Sequence, residues 1–440
     1  MLRKAKHKIA NIVRKYFFSG IERQYCKQIN DLQEQLEWLK QHSDITSLKP
    51  ATGYARKKQR ELLAFVEEFM EFTKELNLHP FLTGGNLIGA VRHGGFIPWD
   101  DDMDFGLIRS ETEKLIAFCK EKCVVDIYEG SWSGYSREQT YSRMARMLAL
   151  HPGKYILDIW VDQLQIYKGT SVVDVQFIDF WPFDYYDESY RIEDHMEYLD
   201  NLLEEIHQID NVKNIVSFLQ KERKNNPNIS EHETGIIFPG IDNVGGFLST
   251  KRLKSWLYAD DILPLQKIKY ENTSFYAPHK LDKYLEYLTP DYMSYPADVG
   301  LNKHDRYKVL LSIVPVVVLI VQKIQDIEYF LPLHEYFEEH GIYSLFLPVV
   351  DGEKDSAALS AMYERLEEKE VQYRKAMKVQ SWSICMKEGN PAIKDIKAKY
   401  NIICNLNSSE LEFFIDGQIY KGYEDLTKFI KGMHSANCSN

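Results

Sequence analysis

Four aspartates occupy five positions, Asp100, Asp101, Asp102 and Asp104, behind Trp99 and around Met103. The pattern over Asp102–Ile108 predicts a strand. Residues two apart in a strand share a face, so Asp102 and Asp104 project together. Oxygen ligands spaced this way suit Mg2+ or Mn2+. Carboxylates this crowded repel one another unless a cation sits among them. A solvated acidic turn capped by Asp100 is the bland alternative, but apolar Met103 and Phe105 interleave with the acids and favour a strand embedded in a core. A third carboxylate is expected from a neighbouring strand. Val172–Phe180 alternates as one and runs into Trp181–Pro182. It offers Asp179 at its end and Asp174 at its middle, with Asp184 beyond the proline in a loop; Asp179 is best placed to join the pair. Upstream, Gly84–Gly85 closes a short strand, Phe81–Thr83, and lets backbone N–H groups approach a phosphate. Arg92 is either a planar fork for phosphate or a surface ion pair. Arg143 and Arg146 are open in the same way. His93 reads as a structural hydrogen bond in the Gly94–Gly95 turn. Trp99 and Trp181 flank the acids and either stack on a ligand or pack in the core.

Helices and strands must hold these groups in place. Arg56–Leu76 is a long amphipathic helix, residues 86–92 a helix opening after the glycine turn, and Glu111–Cys123 a third. Helical stretches follow near 187–224 and 249–258. From 307 onward, strands at Lys308–Ser312, Ile342–Val350, Val379–Cys385 and Asn401–Leu406 alternate with helices near 320–339, 356–377, 391–399 and 423–432. Such alternation predicts βαβ units and a parallel, Rossmann-like sheet. No G-x-G-x-x-G occurs there, so no dinucleotide is implied. The apolar run Val309–Val321 is too short to span a bilayer.

The division expected is 1–50 helical, 51–306 an α/β core with a mixed sheet, and 307–440 a smaller α/β domain. In residues 1–20, six Lys and Arg and no acid combine with apolar residues at helical spacing; this suits peripheral contact with an anionic membrane, or a frayed helix end. Tyr25, Ile29, Leu32, Leu36 and Leu39 form a short heptad seam within residues 22–40, able to pair two copies or to pack on the body.

The 440 residues carry 54 Lys and Arg against 65 Asp and Glu, a net charge of −11. That acidity excludes a general nucleic-acid coat, but not a nucleotide held through metal ions. With 44 % hydrophobic residues, wholesale disorder is excluded too. Six cysteines show no C-x-x-C pair, and no signal-peptide pattern is present, which fits a reduced, cytoplasmic location.

Gly84–Phe105, GGNLIGAVRHGGFIPWDDDMDF, resembles the signature of the LicD family, and Ile178–Asp184, IDFWPFD, resembles its second block. Tyr270–Glu271–Asn272, Tyr276–Ala277–Pro278, Tyr284–Leu285 and Asp291–Tyr292–Met293 resemble the closing block more loosely. The resemblance implies a nucleotidyltransferase-type fold. It also implies a metal-dependent phosphotransferase that moves phosphocholine, or a related phospho-polyol or phospho-amine, from a CDP-linked donor to a hydroxyl of a cell-surface glycan. Capsule, teichoic acid and lipopolysaccharide are the glycan classes. On this reading Asp102, Asp104 and Asp179 hold one or two Mg2+ (or Mn2+), and Asp179 also accepts the hydroxyl proton. Gly84, Gly85, Asn86, Arg92 and Arg146 meet the donor phosphates, and the enzyme works at the inner face of the membrane. Asn86 stands where the family places a hydroxyl residue, and Thr289–Pro290 where it places Tyr-Gly. Two rivals remain at this point: a nucleotidyltransferase that deposits NMP on its acceptor, and a non-catalytic scaffold in glycan assembly.

Overall fold

The computed structural model describes residues 24–131, 136–160, 164–243, 255–296, 299, 307–350, 356–375, 382–386, 400–405, 412–415 and 418–438. The expectations for residues 1–20 and for a helix at 391–399 lie outside them. So does most of the helix expected at 249–258, whose described end is the strand Leu257–Tyr258. The chain divides into two compact units, residues 1–49 with 291–299, and residues 50–290 with 300–440.

In the first unit, residues 24–42 form a helix, α1. The heptad residues Tyr25, Ile29, Leu32, Leu36 and Leu39 are all exposed, from 44 % to 63 %.

The second unit holds two sheets. The larger contains β1 (Phe81–Leu82), β2 (Asp104–Ile108), β3 (Val124–Ile127), β4 (Ile156–Ile159), β5 (Leu164–Lys168), β6 (Gln176–Tyr186), β7 (Ile229–Ser230), β8 (Ile236–Pro239), β9 (Leu257–Tyr258), β10 (Gln266–Tyr270) and β11 (Thr273–Ala277). Its main path runs β10-β11-β1-β2-β6-β5-β4-β3, with β7 and β8 on the far half of β6 and β9 on β8. The sheet is mixed. β2 and β6 are parallel, whereas β1 with β2 and β5 with β6 are antiparallel.

β6 corrects the expected break at Trp181–Pro182, because the strand passes straight through. The chain tolerates Pro182 there because the antiparallel partner changes at that point. The last described pairing with β5 is at Phe180, and pairing with β8 begins at Phe183. A missing N–H costs a ladder bond only where a partner needs it. Asp184 therefore lies in a strand and not in a loop. Asp174 lies in the turn before β6, where its carboxylate accepts from the Thr170 and Ser171 N–H groups.

α2 (Gly53–Phe72) buries Phe65, Val66 and Phe69, and Phe69 packs on Phe180 at 6.0 Å between ring centroids. Phe105 stacks beside Phe180. By strand alternation this apolar face leaves Asp104 and Asp179 on the opposite one. α3 (Gly84–His93) precedes β2, α4 (Arg109–Lys122) follows it, and α5 (Arg137–Leu150) joins β3 to β4. α6 (Ile192–Ile206) and α7 (Val212–Asn225) follow β6, α8 (Ala259–Ile262) follows β9, and α9 (Leu281–Leu288) follows β11.

The second sheet contains β12 (Val316–Val321), β13 (Tyr343–Pro348), β14 (Trp382–Met386), β15 (Tyr400–Asn405), β16 (Glu412–Ile415) and β17 (Gln418–Lys421), in the order β13-β12-β14-β15-β16-β17. The first four are parallel, as the alternation predicted, and a β16–β17 hairpin adds two antiparallel strands. The strand expected at Lys308–Ser312 is instead a helical turn, α10 (Tyr307–Leu310). The apolar run becomes a strand only after Pro315, whose carbonyl accepts from the Tyr343 N–H and begins the ladder. Proline can do this at a strand's start because it lacks only a donor. β12 is buried along its whole length, as a parallel strand between helix layers must be. Helices α11 (Ile324–Glu339), α12 (Ser356–Glu368) and α13 (Gly422–Cys438) cover this sheet.

The two sheets share a core. Tyr141, Met144 and Met147 of α5, Tyr167 of β5 and Val172 to Val175 pack with Val316, Val318 and Ile320 of β12 and Leu345 of β13. Ion pairs reinforce the contact, with Arg60 to Glu370 and Lys57 to Glu338. Among the described residues, no helix is long and apolar enough to cross a membrane.

Candidate active site

The site is built around the parallel pair β2–β6. Asp104 lies directly opposite Asp179 in register, so both carboxylates share one face on neighbouring strands. Adjacent strands are about 4.8 Å apart, within reach of one shared cation. Asp102 sits just before β2, which begins at Asp104 and not at the expected Asp102. Met103 between them is fully buried, and its carbonyl accepts from the Asp179 N–H at 3.0 Å.

The glycine turn meets the acids. Gly84 has φ +53, a conformation that side chains rarely adopt, and begins α3. A Cβ on Gly85 would stand 2.7 Å from Asp100 Oδ2, and one on Gly84 3.4 Å from Asp104 Oδ2. Both glycines are therefore needed to lay the helix N-terminus, with its unsatisfied N–H groups, against the carboxylates. Burial drives the Asp100 carboxyl well above the usual carboxylate range, and the charges of Asp102, Asp104 and Asp101 push it further.

Each carboxylate has a neutral neighbour. Trp181 Nε1 donates to Asp104 Oδ1 at 3.1 Å, and Gln165 Nε2 donates to Asp179 Oδ1 at 2.9 Å. The row continues in register across the sheet, from Asp104 to Asp179, Gln165, Asp158 and Asp126. At its far end Arg143 of α5 bonds Asp158 at 2.7 Å and Asp126 at 3.0 Å, and its guanidinium lies over the rings of Tyr128 and Trp160. Arg143 is thus a buried ion-pair partner, neither an exposed one nor a phosphate ligand. Arg146, one turn further along α5, is exposed.

Asn86 is 1 % exposed and serves the backbone. Its Nδ2 donates to the Asp102 carbonyl at 2.9 Å, and its Oδ1 accepts from the Asp104 N–H at 2.7 Å. This amide braces the acidic segment. Arg92 is buried at the other end of α3, about 12 Å along the axis from Gly84 at 1.5 Å per residue. His93 has both ring nitrogens buried with no hydrogen-bond partner among the described residues, so the expected bond within the turn is not made. Trp99 is half-buried beside the acids. Asp184 is withdrawn from the site by Arg109, which grips it through Nε and Nη2 at 2.8 Å each and grips Asp242 at 2.9 and 2.6 Å.

Several supporting residues come from distant segments, Gln59 with no signal of its own and Tyr270, Glu271 and Tyr284 from the stretch that resembles the closing block. Gln59 of α2 donates to the carbonyls of Ile97 and Asp100. Glu271 accepts from the Phe96 N–H and takes a two-pronged pair from Arg56 at 2.9 and 2.6 Å, which holds its carboxyl below the usual range. Tyr270 OH lies 3.4 Å from Asn86 Nδ2, and Tyr284 OH bonds Thr83 Oγ1 at 2.8 Å. The Tyr270–Glu271 and Tyr284 segments therefore brace the glycine turn and the acidic segment from long range.

Residues 77–202, from just before β1 to α6, match the family model described as LicD/FKTN/FKRP, nucleotidyltransferase domain. The chain carries a LicD-family domain. Its relatives include the lipopolysaccharide cholinephosphotransferase LicD of Haemophilus influenzae, 39 % identical over 61 residues, 14 % of this chain and 23 % of that protein. An uncharacterised protein of Rickettsia typhi is 29 % identical over 93 residues, 17 % of this chain and 30 % of that one. The chain thus spans less than a third of the length of these relatives. The LicD domain contains the glycine turn, all four clustered aspartates, Gln165 and Asp179, whereas Gln59 and Glu271 lie outside it.

Among the described residues, no three Asp, Glu, His or Cys side chains are already drawn together as a metal cage. The donor chemistry nevertheless fits a hard divalent cation. Asp104 and Asp179 present oxygen ligands from opposed register positions, Asp102 lies beside them, and the local negative charge already resists ionisation of Asp100.

Proposed function

We propose that this protein is a metal-dependent transferase that moves a phospho-substituent, phosphocholine or a related phospho-polyol or phospho-amine, from a CDP-linked donor to a glycan hydroxyl. The observation that carries the reading is the register of Asp104 against Asp179, with the N-terminus of α3 laid beside Asp104. The LicD-family match and the name of the Haemophilus relative support the choice of phosphoryl chemistry and of a lipopolysaccharide-type acceptor.

On this reading Asp102, Asp104 and Asp179 hold Mg2+ or Mn2+. Such an ion, when bound, neutralises charge developing on the transferring phosphoryl oxygens. The Gly84–Gly85 turn gives the donor's phosphate oxygens free N–H groups at the positive end of a helix. Asp179 accepts the proton of the attacking hydroxyl.

The test is product analysis with Mg2+ or Mn2+, a glycan acceptor, and CDP-choline, CDP-glycerol, CDP-ribitol or CTP in turn. Free CMP with the phospho-substituent on the acceptor is the expected result. Nucleotide attached to the acceptor would replace this reading with NMP deposition. Asp104→Asn is expected to lower turnover by at least about 100-fold, and unchanged turnover would remove the site from the reaction.

We also propose that α1 pairs with α1 of a second copy. Its exposed seam places Ile29 and Leu36 at one heptad position and Tyr25, Leu32 and Leu39 at the other. Of the flanking positions, Cys26, Gln28, Gln33 and Gln35 are uncharged and Lys40 alone carries a charge, so in a parallel pair it meets Gln35 of the other copy without charge repulsion.

A further inference from the structure

Asp104 and Asp179 each accept a hydrogen bond from a neutral donor that belongs to the sheet itself. Gln165 stands opposite Asp179 on β5, and its Nε2 lies 2.9 Å from Asp179 Oδ1. Trp181 stands two residues beyond Asp179 on β6, and its indole N–H reaches across to Asp104 Oδ1 at 3.1 Å. We propose that Gln165 and Trp181 are positioning residues that fix the planes of the two carboxylates toward a divalent cation. The proposal rests on the metal-binding reading of Asp104 and Asp179 given above.

The physical need is specific. The terminal torsion of an aspartate is broad, so a carboxylate tied only by its backbone swings through a wide range of planes. A single hydrogen bond to one oxygen removes most of that freedom and directs the other oxygen. Lysine or arginine in either place would fix the plane too, but would neutralise the charge that attracts the cation. An amide and an indole fix it and leave the charge intact. Donors that orient ligating groups in this way commonly contribute 10- to 100-fold in metal affinity.

The neighbourhood supports the assignment. Gln165 lies between Asp179 and Asp158 in the cross-sheet row, and Arg143 already occupies Asp158 at 2.7 Å. The described side-chain bond of Gln165 is the one to Asp179. β5 is anchored on both sides, by β4 and by β6, so the amide is presented from a rigid element.

The experiment measures Mn2+ binding to the purified full chain by calorimetry and by electron paramagnetic resonance, without donor or acceptor. The variants are Gln165→Met, which keeps length and loses the donor, and Trp181→Phe, which keeps a ring and loses the N–H. Trp256→Phe is the control, because it removes an indole N–H that bonds the Tyr190 carbonyl away from the site. Each positioning variant is expected to weaken Mn2+ binding by about 10- to 100-fold with an apo melting temperature close to wild type, while Trp256→Phe binds as wild type does. If Asp179→Ala loses Mn2+ but Gln165→Met and Trp181→Phe bind it as tightly as wild type, the positioning role is overturned and the site reading survives. If wild type binds no Mn2+, or Asp179→Ala binds it unchanged, the site reading fails and the proposal falls with it. Should one variant not fold, the other decides alone, since the two donors sit on different strands and act on different carboxylates.

Discussion

Asn86 spends one side-chain amide on both sides of Met103, donating to the Asp102 carbonyl and accepting from the Asp104 N–H. Removing it leaves two buried backbone groups without partners, at roughly 1–3 kcal/mol each. Asn86→Ala is therefore expected to lower the melting temperature clearly, with or without donor present. A variant that weakened donor binding and left stability alone would instead make Asn86 a phosphate ligand. Asp104→Asn acts in the opposite direction on the apo protein. It removes one of the charges that raise the Asp100 carboxyl, so thermal unfolding without metal should occur at or above the wild-type temperature while turnover collapses. A fall in apo stability would mean that the acidic segment is held by pairing and not strained by repulsion.

At the scale of elements, α5 is fastened to the sheet edge by one guanidinium between two carboxylates. Arg143, Asp126 and Asp158 are all buried, and burial lifts Asp158 to about 6 against the pull of Arg143. Arg143→Met would strand two buried carboxylates, at about 3–5 kcal/mol, and chemical denaturation would show the loss. Replacing all three by apolar residues should cost far less. A second element-scale device is the aromatic cage between β6, β8 and α6. His195 is fully buried against Tyr186, Phe238 and Trp256, and neither ring nitrogen has a partner among the described residues. Burial lowers its pKa from 6.5 to about 3. The folded state keeps it neutral while the unfolded state takes up a proton below about pH 6.5, so stability is lost as pH falls through that range. At pH 5 the cost is about 2 kcal/mol. His195→Leu should therefore show a smaller drop in melting temperature between pH 7 and pH 5 than wild type, and an equal drop would exclude His195 as the acid-sensitive group.

The whole molecule joins two kinds of sheet through an apolar cluster and exposes an apolar seam on α1. The cluster binds α5 and β5, which lie next to the site, to β12 and β13. Mutations on β12 are thus able to reach Tyr167, two residues from Gln165 on the same face. On α1, Leu32 and Leu39 are exposed at 63 % and 55 %. Leu32→Glu combined with Leu39→Glu is expected to convert a dimer to a monomer in light scattering behind gel filtration, with turnover per chain unchanged. A wild-type protein that is monomeric at micromolar concentration would overturn the pairing.

The amino-acid sequence by itself placed the candidate chemical groups. Gly84, Gly85, Asp102 and Asp104 fall within one strand–turn–helix–strand stretch, where alternation and glycine freedom are local properties. Parallel β13 to β15 were legible for the same reason, since apolar runs alternating with helices have few other ways to be buried, whereas β12 was expected too early, at Lys308–Ser312. Tertiary structure alone decided the rest. Alternation says which residues of a strand share a face, but not which residue of another strand stands opposite. Gln165 and Asp179 lie 14 residues apart, and Arg56 and Glu271 lie 215 apart. Pro182 read as a break because a proline's cost depends on its partner strands, and those change from β5 to β8 at its position. Asp184 and Asp179 are both acids of one strand, five residues apart. Alternation already puts them on opposite faces, and packing then gives the first to Arg109 and sets the second beside Asp104.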